Sequence, residues 1–288
     1  MKKFLTSTAL LLLCSNYSLI AQNFQGKAYY QSKTTVDMDN FGGRQMSEER
    51  KKQIAERMKS MFEKTYILTF NASESMYKEE EKLDAPGGGG RGFRVMGSFT
   101  AGKQYKNVKD KQLLQDQEFF GKQFLIKDSL PELEWTMDGE TKQIGQYMAI
   151  KATAVKKVDE MDFSNMRRRN RNNDTEKPKD STKSDNPMDE IEVPKEVVVT
   201  AWYTPQVPVS HGPGEYWGLP GLILEVSSGR TTILCSKIVM NPDEKEDIKA
   251  PSKGKEVTKK EYNDIVKKKM EEMREMYGGR NRGGGRRQ

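Results

Sequence analysis

The sequence has 288 residues, of which 34% are hydrophobic and 32% are charged, and its formal net charge is +7 at pH 7. This length fits one large or two small domains, and the low apolar fraction predicts that part of the chain is not packed in a core. Two cysteines exclude a scaffold that is held together by several disulfides.

The first 21 residues have the pattern of a secretory signal peptide. Lys2 and Lys3 form a basic start, an apolar run extends to Cys14, and Ala21 ends the predicted cleavage site. The apolar run is too short to span a membrane. We therefore expect an exported protein that is periplasmic or associated with the outer membrane.

Cleavage after Ala21 changes both the charge and the thiol count. It removes two of the 49 basic residues and none of the 42 acidic ones, so the formal charge falls from +7 to +5. Leu13 before Cys14 disfavours lipidation of that cysteine, which is the alternative fate of the leader. Without Cys14, the remaining thiol is Cys235, and we expect no intramolecular disulfide.

Strand signals dominate residues 22–277, which we interpret as a single domain. Several segments are rich in β-branched and aromatic residues. Side chains at every second position share one face of a strand, as expected for Tyr66, Leu68 and Phe70. Short turns such as 227–230 (SSGR) favour antiparallel pairing. We predict an α+β fold that is mainly antiparallel β, a curved sheet or incomplete barrel. The predicted strands are 27–36, 65–80, 119–128, 146–155, 196–204, 222–226 and 230–240.

Two amphipathic helices are predicted in addition to the strands. The first begins after Ser47, a favourable N-cap, and carries an apolar stripe through Met58. The second begins at Thr258, which has capping-box spacing to Glu261, and Gly278 stops it. We expect both helices to pack on the sheet or extend from it.

Three tracts are predicted to be disordered. Residues 84–95 are rich in glycine, 163–193 are long, charged and poor in large apolar residues, and 278–288 form a basic Gly/Arg tail. Such compositions do not bury enough apolar surface to offset the loss of chain entropy. The folded body is therefore expected to be interrupted by two insertions.

A hexapeptide and its flanks carry a resemblance to a known family. The flanks are Trp135, 140–147 (ETKQIGQY), 150–152 (IKA) and 201–213 (AWYTPQVPVSHGP). Together they resemble the GLPGLI family, over residues from about Phe119 to Met240. The hexapeptide consists of Gly218, Leu219, Pro220, Gly221, Leu222 and Ile223.

The resemblance implies an envelope protein of a type found in the Bacteroidetes, and it brings no activity to any residue of this chain. One position differs from the pattern. Family members often carry Tyr-x-Cys after the Ile-Gly pair, whereas here Tyr147 is followed by Met148 and Ala149. Any role of a cysteine at that point is absent from this chain.

The small residues of the hexapeptide are interpreted as backbone geometry. Pro220 and Gly221 are favoured at the centre of a type II turn, where the glycine takes a positive φ. Gly218 would let Trp217 approach another backbone segment. The run from Leu222 to Val226 is then expected to form a buried strand.

His211, the single histidine, suggests a catalytic alternative because Ser210 is adjacent and Glu215 lies four residues later. Adjacent residues on a bend rarely face each other, and no nucleophile elbow follows, so we interpret His211 as structural. One histidine and one mature cysteine also supply too few ligands for zinc. We expect no metal site, no cofactor and no enzymatic activity.

The favoured function is a non-catalytic envelope binding or scaffold protein. Its partner would be another envelope protein or an apolar or lipidic ligand on the concave face of the sheet. Phe124, Trp135, Trp202 and Trp217 are the candidate lining residues, and the same aromatics equally suit the core. The basic tracts suit an anionic membrane surface, whereas export and the absence of interleaved aromatics disfavour nucleic acid.

Two other functions remain open. Met270, Met273 and Met276 recur at helical spacing and would suit Cu(I) as soft ligands, although methionine more often lines a helix face as an apolar residue. Copper handling is therefore the alternative function. A hydrolase that uses an acidic pair such as Glu132 and Glu134 is third.

Overall fold

The structure is a computed structural model, and its strands dominate the described part of the chain. It describes residues 24–35, 47–50, 52–53, 56, 62–80, 102–158, 167–168, 191–192 and 194–278. The predicted signal peptide, the predicted disorder at 84–95 and the tail after Gly278 lie outside the described residues, as does most of 163–193.

Fourteen strands are present in the described residues. The first seven are β1 (Gly26–Thr34), β2 (Glu63–Phe70), β3 (Glu74–Glu79), β4 (Gln104–Asn107), β5 (Gln112–Phe119), β6 (Lys122–Ser129) and β7 (Thr136–Ile144). The others are β8 (Tyr147–Lys157), β9 (Arg167–Arg168), β10 (Ile191–Glu192), β11 (Glu196–Thr204), β12 (Leu222–Ser228), β13 (Thr231–Met240) and β14 (Lys255–Val257). A C-terminal helix spans Lys259–Gly278.

Twelve of these strands form one sheet, in the order β14-β6-β5-β4-β3-β2-β1-β13-β12-β11-β8-β7. Every neighbouring pair is antiparallel except β14 and β6. The sheet is not closed into a barrel, because β14 and β7 stand at its two ends. The predicted α+β, mainly antiparallel fold is confirmed. The short strands β9 and β10 pair only with each other.

The pairing of β1 with β13 joins the two halves of the sheet. Gly26 lies opposite Met240 and Thr34 opposite Thr231, so residues about two hundred positions apart in sequence become neighbours. On its other side β1 pairs with β2 over eight residues. Most remaining pairs are local hairpins, which place consecutive strands side by side.

Two hairpin turns divide segments that the sequence analysis treated as single strands. Segment 65–80 divides at Asn71, whose side-chain oxygen accepts hydrogen bonds from the backbone N–H groups of Ser73 and Glu74 at 2.9 and 2.7 Å. Segment 119–128 divides at Phe120 and Gly121, which both have positive φ, 50° and 72°. This pair of angles matches a two-residue hairpin turn.

The connection from β6 to β7 crosses between the two ends of the sheet, and two tryptophans hold it. The Trp217 indole donates to the carbonyl of Pro131 at 2.6 Å. The Trp135 indole donates to the carbonyl of Trp217 at 2.8 Å. The crossing chain is therefore tied to the loop that precedes β12.

The connection from β13 to β14 crosses the convex face. Glu246 accepts hydrogen bonds from Lys27 at 2.8 Å, Thr69 at 3.3 Å and Lys78 at 3.4 Å. These contacts lower the pKa of Glu246, the hydrogen bond from Lys27 most of all. Because the chain crosses the sheet in this way, β14 reaches β6 in a parallel orientation.

The C-terminal helix has the predicted cap and the predicted buried face. The Thr258 N–H donates to the Glu261 carboxylate at 2.7 Å, and the Glu261 N–H donates to the Thr258 hydroxyl at 3.2 Å. Tyr262 and Val266 pack with Phe119, Phe124 and Ile126, and Met270 lies against this cluster. Near the N-terminus, Ser47 accepts from the N–H of Arg50, and residues 48–50 are helical. Among the described helices, none is both long and apolar enough to cross a membrane.

The loop before β12, residues 205–221, folds back onto the concave side of the sheet. The Leu222 N–H donates to the Val207 carbonyl at 2.9 Å, and the Ile223 N–H donates to the His211 carbonyl at 2.9 Å. His211 also forms an isolated bridge with Trp217. Val207, Val209 and Leu222 are buried in the cluster around Tyr30.

The predicted type II turn at Pro220 and Gly221 is wrong. The Gly221 N–H donates to the Leu219 carbonyl at 2.8 Å, which makes a tighter three-residue turn, and Gly221 is not among the residues with positive φ. Gly221 is required because a Cβ there would lie 2.2 Å from the carbonyl oxygen of Thr204. The positive φ belongs instead to Gly218, at 94°.

We predict that Gly221→Val lowers the free energy of unfolding by about 1–3 kcal/mol, because the new side chain displaces the backbone of Thr204. Urea denaturation measures the change. Pro220→Ala is the matched control: Pro220 is exposed, so its loss is expected to cost less than about 1 kcal/mol. Equal urea midpoints for Gly221→Val and the unmodified protein would contradict the close approach.

Candidate functional site

A cavity of 1480 Å³ lies on the concave side of the sheet. We call it the groove. Its walls include Ile126 of β6, Thr153 of β8 and Tyr262 of the C-terminal helix. Because β6 and β8 stand near opposite ends of the strand order, a cavity that touches both shows that the sheet curls around it.

Part of one groove wall comes from the loop, through Gly214, Glu215 and Tyr216. A buried lysine of β4 holds this segment. The Lys106 ammonium donates hydrogen bonds to the carbonyls of Gly212 at 2.7 Å and Tyr216 at 2.9 Å. Lys106 is 1% exposed, and burial lowers its pKa to about 7, an effect that the nearby Glu215 carboxylate opposes.

The alternation of side chains along β4 explains why Lys106 points inward. Its neighbour Tyr105 points to the convex face, packs with Leu114 and Leu125, and donates its hydroxyl to Glu74 at 2.5 Å. Lys106 therefore points to the concave face, next to Ser75 in the register of β3 and β4. Its four-carbon stem packs in the core while its charged end reaches the loop carbonyls.

His211 belongs to the same loop and is fully buried. Its ring lies 6.2 Å from the ring of Phe70, and neither ring nitrogen makes a hydrogen bond of ordinary geometry with the described residues. Burial and, to a smaller extent, the nearby charge of Lys106 lower the pKa of His211 to about 3, and the Asn71 backbone opposes this fall. His211 is therefore neutral at physiological pH and contributes as a packed ring.

The residues around His211 do not form a nucleophile and base pair. The Ser210 hydroxyl accepts a hydrogen bond from the Gly218 N–H at 3.1 Å. The Glu215 carboxylate pairs with Lys156. The Ser210 and Glu215 side chains thus have partners other than the His211 ring.

Tyrosines line the groove beside the loop. Tyr66 and Tyr77 are stacked with ring centroids 4.7 Å apart, and Tyr216 lies under the Lys156 ammonium, 5.6 Å from its ring centroid. Burial raises the pKa of Tyr77 well above its ordinary value, and neighbouring Tyr66, Glu79 and Tyr216 raise it further. Burial raises the pKa of Tyr262 to about 12. The hydroxyl groups of Tyr77 and Tyr262 therefore stay protonated and can donate and accept hydrogen bonds at neutral pH.

The four aromatic residues predicted to line a ligand site are not brought together. Phe124 packs under the C-terminal helix, Trp202 lies against the cluster around Tyr30, and Trp135 lies against the cluster around Tyr203. Trp217 contacts Trp135 through the indole hydrogen bond described above. All three tryptophans are half-buried, and none of the four residues lines the groove.

The other candidate side chains are the metal ligands considered above, the three methionines of the C-terminal helix and Cys235. No group of three His, Cys, Asp or Glu residues that could hold a metal occurs in the described part of the chain. Met270 packs against the helix cluster, Met273 is half-buried and Met276 is 64% exposed. Cys235 is buried, and burial raises the pKa of its thiol to about 12.

Sequence analysis missed Lys106 and the groove tyrosines. The alternation of Gln104, Tyr105 and Lys106 would have placed Lys106 on the concave face if β4 had been recognised. The sequence around Lys106 does not indicate its partners, because Gly212 and Tyr216 follow more than a hundred residues later. Tyr66 and Tyr77 were noticed as strand residues, and only the fold joins them to Tyr216.

Comparisons with known proteins locate a family match in the second half of the domain. Residues 135–225 match a family model described as "Protein of unknown function (Porph_ging)". This span contains the hexapeptide and its flanking motifs, and it brings no function with it. The GLPGLI resemblance itself stays a prediction. No curated protein matches the chain.

Solved structures of PNGF-II are similar to the chain at low identity. The structure in the C2 space group is 14% identical, with a TM-score of 0.46 and coverage of 84% of this chain. The structure in the P21 space group is 13% identical, with the same TM-score and coverage. The chain spans only 32% and 33% of the length of these two structures.

We predict that His211→Leu removes a pH dependence of stability. In the unfolded chain His211 binds a proton near pH 6.5, whereas the folded protein binds it near pH 3, so stability falls as the pH drops from 6.5 to 5. The slope is at most about 1.4 kcal/mol per pH unit. Glu246 titrates below this range, and the chain has no other histidine.

Urea denaturation at several pH values measures this effect. Because neither ring nitrogen has an ordinary hydrogen bond, His211→Leu leaves no partner unsatisfied and is expected to match the unmodified protein at pH 7 within about 1 kcal/mol. A variant that keeps the full slope between pH 6.5 and 5 would show that another group is responsible.

We predict a pH dependence of the same sign for Lys106, in a higher pH range. The folded protein releases this proton near pH 7 and the unfolded chain near pH 10.5, so stability rises between pH 7 and 9. Lys106→Met is expected to remove the rise, while the exposed neighbour Lys103→Met keeps it. The measurement stops at pH 9 because of the Cys235 thiol, whose pKa burial raises to about 12. Above pH 9 this thiol loses its proton more readily in the unfolded chain than in the folded protein, which lowers the stability. A rise that persists in Lys106→Met would contradict the assignment.

Proposed function

We propose that this protein is a non-catalytic binding protein of the cell envelope, and that the groove takes up its ligand. The observation that carries the proposal is the groove itself, a cavity of 1480 Å³ that both ends of the curled sheet and the C-terminal helix surround. Typical small-molecule pockets occupy about 300–1,000 Å³, so the groove has room for a larger or extended ligand.

The fold supports a binding role by analogy. Curved antiparallel sheets and small barrels enclose single ligands in several carrier families, with the strands as a rigid wall. Here the hydrogen bonds of Lys106 and of the two tryptophans hold the loop and the crossing chain in place around the cavity. A preformed wall reduces the entropy that a ligand loses on binding.

The location in the envelope rests on the predicted signal peptide, and the Porph_ging match is compatible with an exported protein. An apolar or lipidic ligand, as expected from the sequence, would contact serine, threonine and glutamine side chains as well as the apolar residues of this groove. Copper handling has weaker support, since Met270 packs as an apolar residue in the helix cluster.

We predict that filling the groove abolishes ligand retention. Ser32 lines the groove, and Ser32→Trp places a bulky side chain inside it. Gln31, the next residue of β1, is exposed on the other face, so Gln31→Trp is the matched control. Native mass spectrometry of the mature protein from its own envelope is expected to find about one ligand per chain in the unmodified protein and in Gln31→Trp only.

Equal retention in both variants would place the ligand outside the groove and contradict the proposal. Copper at one ion per chain, lost in Met270→Leu and kept in Ser32→Trp, would favour the metal-handling function instead. Circular dichroism of both tryptophan variants confirms that the fold is retained.

A further inference from the structure

Two tyrosines that line the groove have hydroxyl groups without a hydrogen-bond partner in the described part of the chain. Tyr77 of β3 is 8% exposed and Tyr262 of the C-terminal helix is 7% exposed, and both line the groove. The hydroxyl oxygens of both residues are buried and unpartnered among the described residues. A buried polar group without a partner is destabilising, so unpartnered groups in a native cavity are candidate ligand contacts.

The rest of the lining is more apolar than polar, and its polar part includes a set of uncharged side chains. Neutral side chains that both donate and accept hydrogen bonds come from β1, β4, β5 and β12. Ligand hydroxyl groups also donate and accept, so they match such a lining. The residues are Ser32, Thr34, Gln104, Gln115, Gln117 and Ser228.

Charges of the groove do not favour an ion of either sign. The lining has four acidic and three basic side chains, which are Asp128, Glu132, Glu134 and Glu215, and Lys156, Lys157 and Lys259. Lys156 and Glu215 neutralise each other in an ion pair. A polyanion would require a surplus of basic residues, and an ammonium ligand would require a surplus of acidic ones.

We propose that the groove binds an uncharged, hydroxyl-rich ligand of the class of short neutral oligosaccharides, and that Tyr77 and Tyr262 donate hydrogen bonds to it. This inference rests on the proposed binding function of the groove. The stacked rings of Tyr66 and Tyr77 also offer apolar surface for the C–H faces of a sugar ring. An acyl chain would satisfy the apolar surface and leave both hydroxyls unpaired.

Removal of the two hydroxyl groups tests the inference. An array of neutral oligosaccharides of defined structure first identifies a sugar that binds the mature protein, and calorimetric titration then measures its affinity. We expect Tyr77→Phe and Tyr262→Phe each to weaken binding by about tenfold. The melting temperature of the unliganded variants is expected to stay equal or rise, because each variant loses an unsatisfied buried group.

Tyr105→Phe is the control for the loss of a tyrosine hydroxyl. Tyr105 lies on the convex face, and its hydroxyl already donates to Glu74. This variant is expected to lose stability and keep its affinity for the sugar. A merely structural role of Tyr77 would give the reverse pattern, lower stability with unchanged affinity, and would overturn the inference.

Failure of the inference is distinguishable from failure of the proposed function. If no neutral oligosaccharide binds, while palmitate or a phosphatidylglycerol vesicle binds and Ser32→Trp prevents it, the groove is a binding site and the oligosaccharide class is wrong. If an oligosaccharide binds equally to the unmodified protein and to Ser32→Trp, both the groove and the ligand contacts are wrong. Tenfold weaker binding of the oligosaccharide to Tyr77→Phe and to Tyr262→Phe supports the groove as the binding site and the two tyrosines as ligand contacts.

Discussion

The two hydrogen bonds of the Lys106 ammonium are the interaction on which the concave side of this protein depends. An ammonium removed from water is stable only if the protein replaces its hydration. The carbonyls of Gly212 and Tyr216 supply this replacement at 2.7 and 2.9 Å. The loop therefore has to stay folded against β4, because its departure would leave a buried charge without partners.

Several features of the loop follow from this constraint. His211 packs near Phe70 as a neutral ring, because burial and the nearby charge of Lys106 both lower its pKa. Gly212 has to be glycine because a Cβ would lie within 3 Å of Ile223. Held in this position, the segment from Gly214 to Tyr216 becomes a wall of the groove. The indole hydrogen bonds of Trp135 and Trp217 hold the connection from β6 to β7 against the loop.

The sequence supports the fold class and several strands more firmly than it supports the site. Alternation identified β1, β8 and β11 closely, and the capping box of the C-terminal helix was predicted from Thr258 and Glu261. The hairpin between β5 and β6 was missed because Phe120 takes a positive φ that aromatic residues rarely adopt. In the hexapeptide, positive φ was predicted for Gly221 and a close backbone approach for Gly218. The structure shows the reverse, with positive φ at Gly218 and a close approach to Thr204 at Gly221. The groove depends on pairing between distant strands, which local patterns do not encode.

Lys106 holds the loop in the position in which the loop forms part of the groove wall. Nuclear magnetic resonance of protein labelled with ¹³C-lysine measures this most directly, through the titration of the Lys106 side chain, assigned by its loss in Lys106→Met. We expect a midpoint of about 7 for Lys106, well below the ordinary pKa of about 10.4 for a solvated lysine side chain. A Lys106 signal with a midpoint near 10.4 would show that the ammonium is solvated and does not hold the loop.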